Sequence, residues 1–337
     1  MIRKKVVFRV DGGHKIGFGH IIRALTIAKR LAKKREILFL IKEDELAIEK
    51  VREEGYEVYL LSDKFEIVDH LSCEVFVSDI RDTSVDFMKK AKEISKCLVT
   101  FDDLGPGRHL ADILVDANIE EKATLAVSKE KSNVSLCLYG ANYILLREEF
   151  EKRQRKKIKE NVERILVTMG GSDSKGTTLK VVSALEEMSL NLEVIVILGK
   201  GFFLKERLLD LIKRSSEKYK VLSDEKDIFK YMEGADLAIS SAGVTMFELA
   251  CCGVPMVVIP YDEDQEKNTK QFLNQSLLVN LGSSDYVSQE KIFTAVNNLI
   301  SNLEPRERMS KELQRFVDGK GLFKIIEAIK NTKRRKL

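Results

Sequence analysis

The segment Arg9-Val10-Asp11-Gly12-Gly13-His14-Lys15-Ile16-Gly17-Phe18-Gly19-His20 joins an apolar, strand-like run to an amphipathic helix. Gly17 and Gly19 let the backbone approach a ligand closely, and the free amides of a helix start attract phosphate or other anions. His20 stands at that start, where an imidazole can serve as general base toward water or a hydroxyl. The plainer alternative is that His20 only caps the helix. A dinucleotide fingerprint would need a third glycine at position 22, where the chain has Ile22, and this disfavours a nicotinamide-dependent dehydrogenase.

A second cluster reads Ile239-Ser240-Ser241-Ala242-Gly243-Val244-Thr245, followed by Glu248. Small residues again end a strand and open a helix, and the hydroxyls of Ser241 and Thr245 can join the amides of Ala242, Gly243 and Val244 in holding a diphosphate. Glu248, one turn further on, can accept both hydroxyls of a ribose, as acidic residues do in dinucleotide sites; its plain alternative is an exposed helix glutamate. Gln265 and Asn268, three apart, share a helix face and can address one polar ligand. The acids around them, Asp262, Glu263, Asp264 and Glu266, suit solvent or sugar hydroxyls better than phosphate. Gly170-Gly171-Ser172-Asp173 completes the set after another strand.

These loops need a scaffold that presents strand ends. Apolar runs at Val6–Val10, Ile37–Ile41, Glu57–Leu61, Val75–Ser78 and Leu98–Phe101 alternate with amphipathic helical segments, the first over residues 20–34. The beat restarts with strands at Arg164–Thr168, Leu192–Leu198, Lys220–Leu222, Leu237–Ser240 and Pro255–Ile259, and with a helix over 177–188. Continuous apolar strands separated by amphipathic helices predict parallel sheets covered on both faces, hence a doubly wound α/β fold. The basic run Lys152–Lys159 lacks an apolar face and reads as a solvated connector. The expected organisation is therefore a domain over 1–155, a second over 160–315, and a C-terminal helix with a basic tail over 316–337. Ligands in such sheets sit beyond the carboxyl ends of the strands, here in a cleft between the two halves.

At 337 residues the chain suits two ordinary domains, and 44% hydrophobic with 33% charged residues is a globular composition. Lys and Arg total 57 against 53 Asp and Glu, and the charges alternate along most helices, which argues against nucleic acid as a partner. No stretch approaches the ~18 continuous apolar residues of a membrane span, and no signal-peptide pattern opens the chain. The expected location is the cytoplasm. Five cysteines stand at 73, 97, 137, 251 and 252 without metal-ligand spacing, and read as buried small hydrophobes with no metal site. The sequence sets no oligomeric state.

Taken together, Phe8-Arg9-x-Asp11, Ile16-Gly17-Phe18-Gly19-His20-x-x-Arg23, Phe101-Asp102-Asp103, Tyr143-x-x-Leu146-Arg147-Glu148-Glu149-Phe150, Met169-Gly170-Gly171-Ser172-Asp173 and the Ser241–Glu248 loop cover most of the chain in order. This pattern resembles the pseudaminic-acid-pathway UDP-sugar hydrolases and the related spore-coat polysaccharide proteins. The second half also resembles the UDP-sugar half of the transferase that makes peptidoglycan lipid II. The resemblance implies a GT-B architecture of two Rossmann-like domains, with a small-molecule nucleotide sugar as substrate and no cofactor or metal. It further implies that Ile228 offers backbone contacts to uracil, that Glu248 binds ribose, and that the Ser241–Thr245 loop, Gln265 and Asn268 flank the diphosphate. His20 would activate water at the anomeric carbon, with Asp11 orienting the loop or a sugar group. Where the hydrolases carry Asp-His-Tyr after the fourth strand, this chain has Asp79-Ile80-Arg81, and an arginine there suits a carboxylate or phosphate. Hydrolysis of a UDP-linked amino- or deoxysugar for surface polysaccharide or nonulosonic acid is the leading expectation. A glycosyltransferase, in which His20 deprotonates an acceptor, is the second. A non-catalytic nucleotide-sugar sensor would have no use for His20.

Overall fold

A computed structural model of the chain describes residues 4–13, 18–42, 44–68, 70–117, 134–171, 173–188, 192–213, 215, 218–225 and 227–332. It divides into two compact units, Met1–Arg147 with Lys320–Leu337, and Glu148–Gly319. Both are open parallel α/β sheets.

In the first unit the strands are β1 (Lys4–Val10), β2 (Arg35–Lys42), β3 (Glu57–Leu61), β4 (Val75–Asp79), β5 (Leu98–Phe101), β6 (Ile113–Asp116) and β7 (Leu136–Tyr139). They lie in the order β3-β2-β1-β4-β5-β6-β7, every pairing parallel. Alternate side chains go to opposite faces. Val6, Phe8, Val10, Val75 and Val77 pack with helix α1 (Gly19–Ala32), whereas Val7 and Phe76 pack with α3 (Val85–Glu93) on the other side. Helix α1 buries Ile21, Ala24, Leu25, Ala28 and Leu31, the helical spacing of a single apolar stripe. Asp44 caps α2 (Glu45–Glu53) by accepting from the Ala47 amide, and Ser84 caps α3 through the Phe87 amide.

The second unit repeats the pattern with β8 (Arg164–Thr168), β9 (Glu193–Leu198), β10 (Lys218–Ser223), β11 (Leu237–Ser240), β12 (Met256–Val258) and β13 (Val279–Asn280), in the order β10-β9-β8-β11-β12-β13. Its helices are α4 (Thr177–Glu186), α5 (Lys205–Ile212), α6 (Phe229–Gly234), α7 (Val244–Cys252), α8 (Glu263–Leu273), α9 (Gln289–Ser301) and α10 (Leu303–Phe316). In each sheet the order reverses direction at one point, between β1 and β4 and between β8 and β11, where doubly wound sheets bind ligands.

Two segments depart from the expectation. The basic run 152–159 is exposed along much of its length, but its backbone is fastened to the second unit. The Gln314 amide donates to the carbonyl of Gln154 at 2.9 Å and accepts from the Lys156 amide at 3.2 Å. The fully buried Arg306 donates to the carbonyls of Lys159 and Glu160 at 2.8 and 2.6 Å. The final helix, α11 (Gly321–Asn331), packs Leu322, Ile325, Ile326 and Ile329 into the core of the first unit beside α1. The basic residues 333–336 lie outside the described residues.

All five cysteines are free thiols, four of them buried, and burial pushes the Cys251 thiol up to about 12. Among the described residues no helix is long and apolar enough to cross a membrane. Replacing Gln314 with Ala removes one of the groups that hold this connector and leaves the Lys156 amide without its acceptor. The expected loss is about 2 kcal/mol of unfolding free energy, read from urea denaturation of the whole chain.

Candidate active site and nucleotide-binding loop

His20 is the second residue of α1, at the carboxyl end of β1. In the neighbouring β4, Val75 and Val77 face α1, so the next alternate residue, Asp79, presents its carboxylate on the same side. The His20 Nδ1 lies 2.7 Å from Asp79 Oδ1, with side-chain exposures of 28% and 2%. An ionised carboxylate only accepts hydrogen bonds, so in the neutral ring Nδ1 carries the proton and Nε2 keeps its lone pair. That is the tautomer of a general base with a partly exposed ring.

Arg23, one helical turn on, grips the same carboxylate twice, Nε to Oδ2 at 2.7 Å and Nη2 to Oδ1 at 2.5 Å. Its Nη1 is paired with Asp102, and its guanidinium carbon lies 5.3 Å from the centroid of the Phe101 ring. Asp102 follows β5 with φ of 44°, a left-handed turn that aspartate tolerates better than most residues. Burial pushes the Asp79 carboxyl up, but the Arg23 guanidinium and the His20 hydrogen bond outweigh it and hold Asp79 below the usual carboxylate range. Burial alone would lower Arg23, and the charges of Asp102 and Asp79 instead raise it above its ordinary value.

Asp11 has a different partner. Its carboxylate accepts from Arg9 Nη1 and Nη2 at 2.5 and 3.0 Å and from the Lys42 amide at 3.3 Å. Arg9 is 0% exposed and spends its other donors on the Lys64 carbonyl, so the pair ties together the ends of β1, β2 and the segment after β3. Asp11 thus braces the loop, and the carboxylate that meets the imidazole is Asp79. At Gly13, φ is +135° and a Cβ would fall 1.9 Å from the Asp44 carboxylate, so only glycine fits. Gly17 lies outside the described residues. Phe18 occupies the cap position of α1, its ring 6.0 Å from the Lys50 ammonium, and Gly19 is exposed with open space around it. Arg81 is exposed on the turn after β4, and its carbonyl accepts from the Leu104 amide at 2.6 Å.

In the second unit the loop after β11 is built around Ala242. Its amide donates to Gln265 Oε1 and its carbonyl accepts from Asn268 Nδ2, both at 3.0 Å. Gln265 and Asn268 do share a face of α8, and that face fixes the loop backbone. Gly243 then caps α7 with no side-chain acceptor; its carbonyl accepts from the Met246 amide at 3.1 Å, and the amides of exposed Val244 and half-buried Thr245 are left for an anion. Ser241 is buried, and a Cβ on Gly170, whose φ is 80°, would lie 3.4 Å from its hydroxyl. A Cβ on Gly199 would fall 2.2 Å from the Gly171 carbonyl oxygen, which keeps the loops after β8 and β9 in close contact. Glu248 is 6% exposed on a helix buried on nearly every side, so the reading as an exposed helix glutamate does not hold.

Asp173 and Ile228 sit at helix starts of their own. Both Asp173 carboxylate oxygens accept backbone amides, Thr177 and Thr178 at 2.8 Å each. The Ile228 carbonyl accepts from Tyr231 and Met232 in α6. Ser172 lies outside the described residues.

Residues 164–323 match the family model described as the glycosyltransferase family 28 C-terminal domain. The spore coat polysaccharide biosynthesis protein SpsG of Bacillus subtilis is 25% identical over 94% of both chains. The UDP-2,4-diacetamido-2,4,6-trideoxy-beta-L-altropyranose hydrolase of Campylobacter jejuni is 29% identical over 78% of this chain and 93% of its own. The chain belongs to this SpsG-like and UDP-sugar-hydrolase-like family with the GT-B fold. An uncharacterized protein of Methanocaldococcus jannaschii is 31% identical over 97% of this chain, which spans 66% of that protein's length. Among solved structures, Acinetobacter baumannii MurG superposes with a TM-score of 0.71 over 97% of this chain and 99% of its own, at 14% identity.

In this family member the sequence pattern singles out His20 as a candidate and does not assign Asp79, Arg23 or Asp102, which the structure brings to it. The available signals were the i, i+3 spacing of His20 and Arg23 and the two aspartates at the ends of β4 and β5. Because the native Asp79 pKa is depressed below its free value of 3.8, its stabilisation is fully present above that value. It is lost as pH falls through the lower native value. An Asp79→Asn variant should therefore lose about 3 kcal/mol at neutral pH. It should also show a shallower acid dependence of unfolding free energy below about pH 4 than the parent, measured by urea melts across pH 2–7.

Proposed function

We propose that this chain hydrolyses a UDP-linked amino- or deoxysugar, of the UDP-2,4-diacetamido-2,4,6-trideoxyhexose type, and releases UDP and the free sugar for surface polysaccharide or nonulosonic acid synthesis. The observation that carries the reading is the His20–Asp79 pair, an imidazole held by Nδ1 at 2.7 Å with Nε2 free to accept a proton. In the proposed reaction His20 Nε2 takes a proton from water and the water oxygen bonds to the anomeric carbon. The bond from that carbon to the β-phosphate oxygen breaks, and its electron pair leaves with UDP. The uncapped start of α7 supports a diphosphate role for Ser241–Thr245, with Gln265 and Asn268 acting through the backbone they fix. Buried Glu248 suits the ribose hydroxyls, and Ile228 the uracil edge. Arg81, with Gly19 and Phe18, suits the sugar end, where a guanidinium favours an anionic or carbonyl substituent. No cofactor or metal takes part, the protein acts in the cytoplasm, and neither nucleic acid nor a membrane span is involved.

A transferase reading shares this donor chemistry and differs only in the nucleophile. The Campylobacter relative is named as a hydrolase at 29% identity over most of the chain, and this favours water. Incubation with a panel of UDP- and CMP-sugars, with and without acceptors and chelator, decides between them. The expected result is UDP release in water alone, unchanged by chelator and reduced by about 10²–10⁴-fold in His20→Ala. Release that requires an acceptor would instead assign a transferase.

A further inference from the structure

We propose that Arg23 is a positioning residue whose charge keeps His20 in its neutral, proton-accepting form. The inference rests on the reading of His20 as the base and adds a reason why the base is available.

A carboxylate hydrogen-bonded to Nδ1 on its own favours the imidazolium, because an opposite charge at contact distance stabilises the protonated ring. A base already protonated cannot take a proton from water. Here the carboxylate is not on its own. Arg23 covers both of its oxygens, at 2.7 and 2.5 Å, so the positive guanidinium offsets the carboxylate charge that the ring faces. The same Arg23 Nη2 lies 3.2 Å from His20 Nδ1, close enough for its positive charge to oppose protonation directly. Phe101 beneath the guanidinium and Asp102 beyond it keep Arg23 in that place. Among the described residues, the charged groups around the ring come from three elements: Arg23 from α1, Asp79 from β4, and Asp102 from the turn after β5, acting behind Arg23. Lys50 of α2 lies over the Phe18 ring, and Arg81 follows Asp79 on the exposed turn.

The charges give the arrangement opposite signs that a merely structural role does not produce. Removing the Arg23 charge leaves the imidazole beside an uncompensated carboxylate and should make it easier to protonate. Removing the Asp102 charge leaves Arg23 less neutralised and should make it harder. Asparagine at 102 tolerates the left-handed backbone, so this second change keeps the turn.

The test follows the ring proton signals of His20 by NMR from pH 4 to 9, assigned by their loss in His20→Ala, together with the pH profile of UDP release. In Arg23→Gln the ring titration and the acid limb of kcat/KM should both move up by about one to two pH units, so that the loss of rate is larger at pH 6 than at pH 9. Arg23→Lys should recover part of the shift, and Asp102→Asn should move both curves down. Titration curves that coincide with the parent in Arg23→Lys and Asp102→Asn, or that move the other way, overturn the proposal even if Arg23→Gln does not fold. Full UDP release by His20→Ala would instead overturn the reading of His20 as the base, and the ring titration would still judge the effect of Arg23.

Discussion

A carboxylate with almost no contact with water has to be matched by positive charge and hydrogen bonds, and Asp79 imposes that requirement on the first unit. Three elements meet it. The alternation of β4 sets the side on which the carboxylate emerges, and α1 supplies both His20 and Arg23 from one face. Phe101 and Asp102 at the end of β5 hold the guanidinium flat and neutralise its remaining edge. The most exposed member of the arrangement is the His20 ring, where exchange of a proton with a ligand is useful. Had the carboxylate stood one residue earlier on the strand, it would have faced α3 and missed the helix altogether.

The second unit solves a different problem with the same topology. There the task is to fix a backbone rather than a charge, and Ala242 is held by both of its peptide groups from α8. Gly199, where a Cβ would strike the Gly171 carbonyl, lets the loops after β8 and β9 come together at the strand ends without a side chain between them. An anion at the start of α7 would meet amides already in position, and little reorganisation would be needed on binding. In each sheet the candidate site residues lie where the strand order reverses, which is where a doubly wound sheet leaves its strand ends uncovered.

Much of the scaffold was legible in the sequence because apolar runs bounded by charge have few alternatives. Glu57–Leu61, Leu98–Phe101, Arg164–Thr168 and Leu237–Ser240 are strands with the expected bounds. The strands Ile113–Asp116 and Val279–Asn280 were not anticipated. His20 was legible because a histidine after glycines at a helix start is a local pattern. Asp79 was not, because its importance depends on which strand lies beside β1, and that is a property of the sheet. Gln265 and Asn268 were placed on the correct face by their spacing. That they grasp Ala242 depends on a contact across more than twenty residues, which spacing alone does not report.

Helix α11 completes the core of the first unit, yet it follows every other regular element among the described residues. In topological terms the second unit is therefore an insertion within the first, entered after Arg147 and left before Lys320. During synthesis the inserted unit can reach its full sequence, and fold, while the host unit still lacks Leu322, Ile325, Ile326 and Ile329. His20 and Arg23 on α1, with Asp79 on β4, thus belong to a core that closes only after the whole second unit has been made.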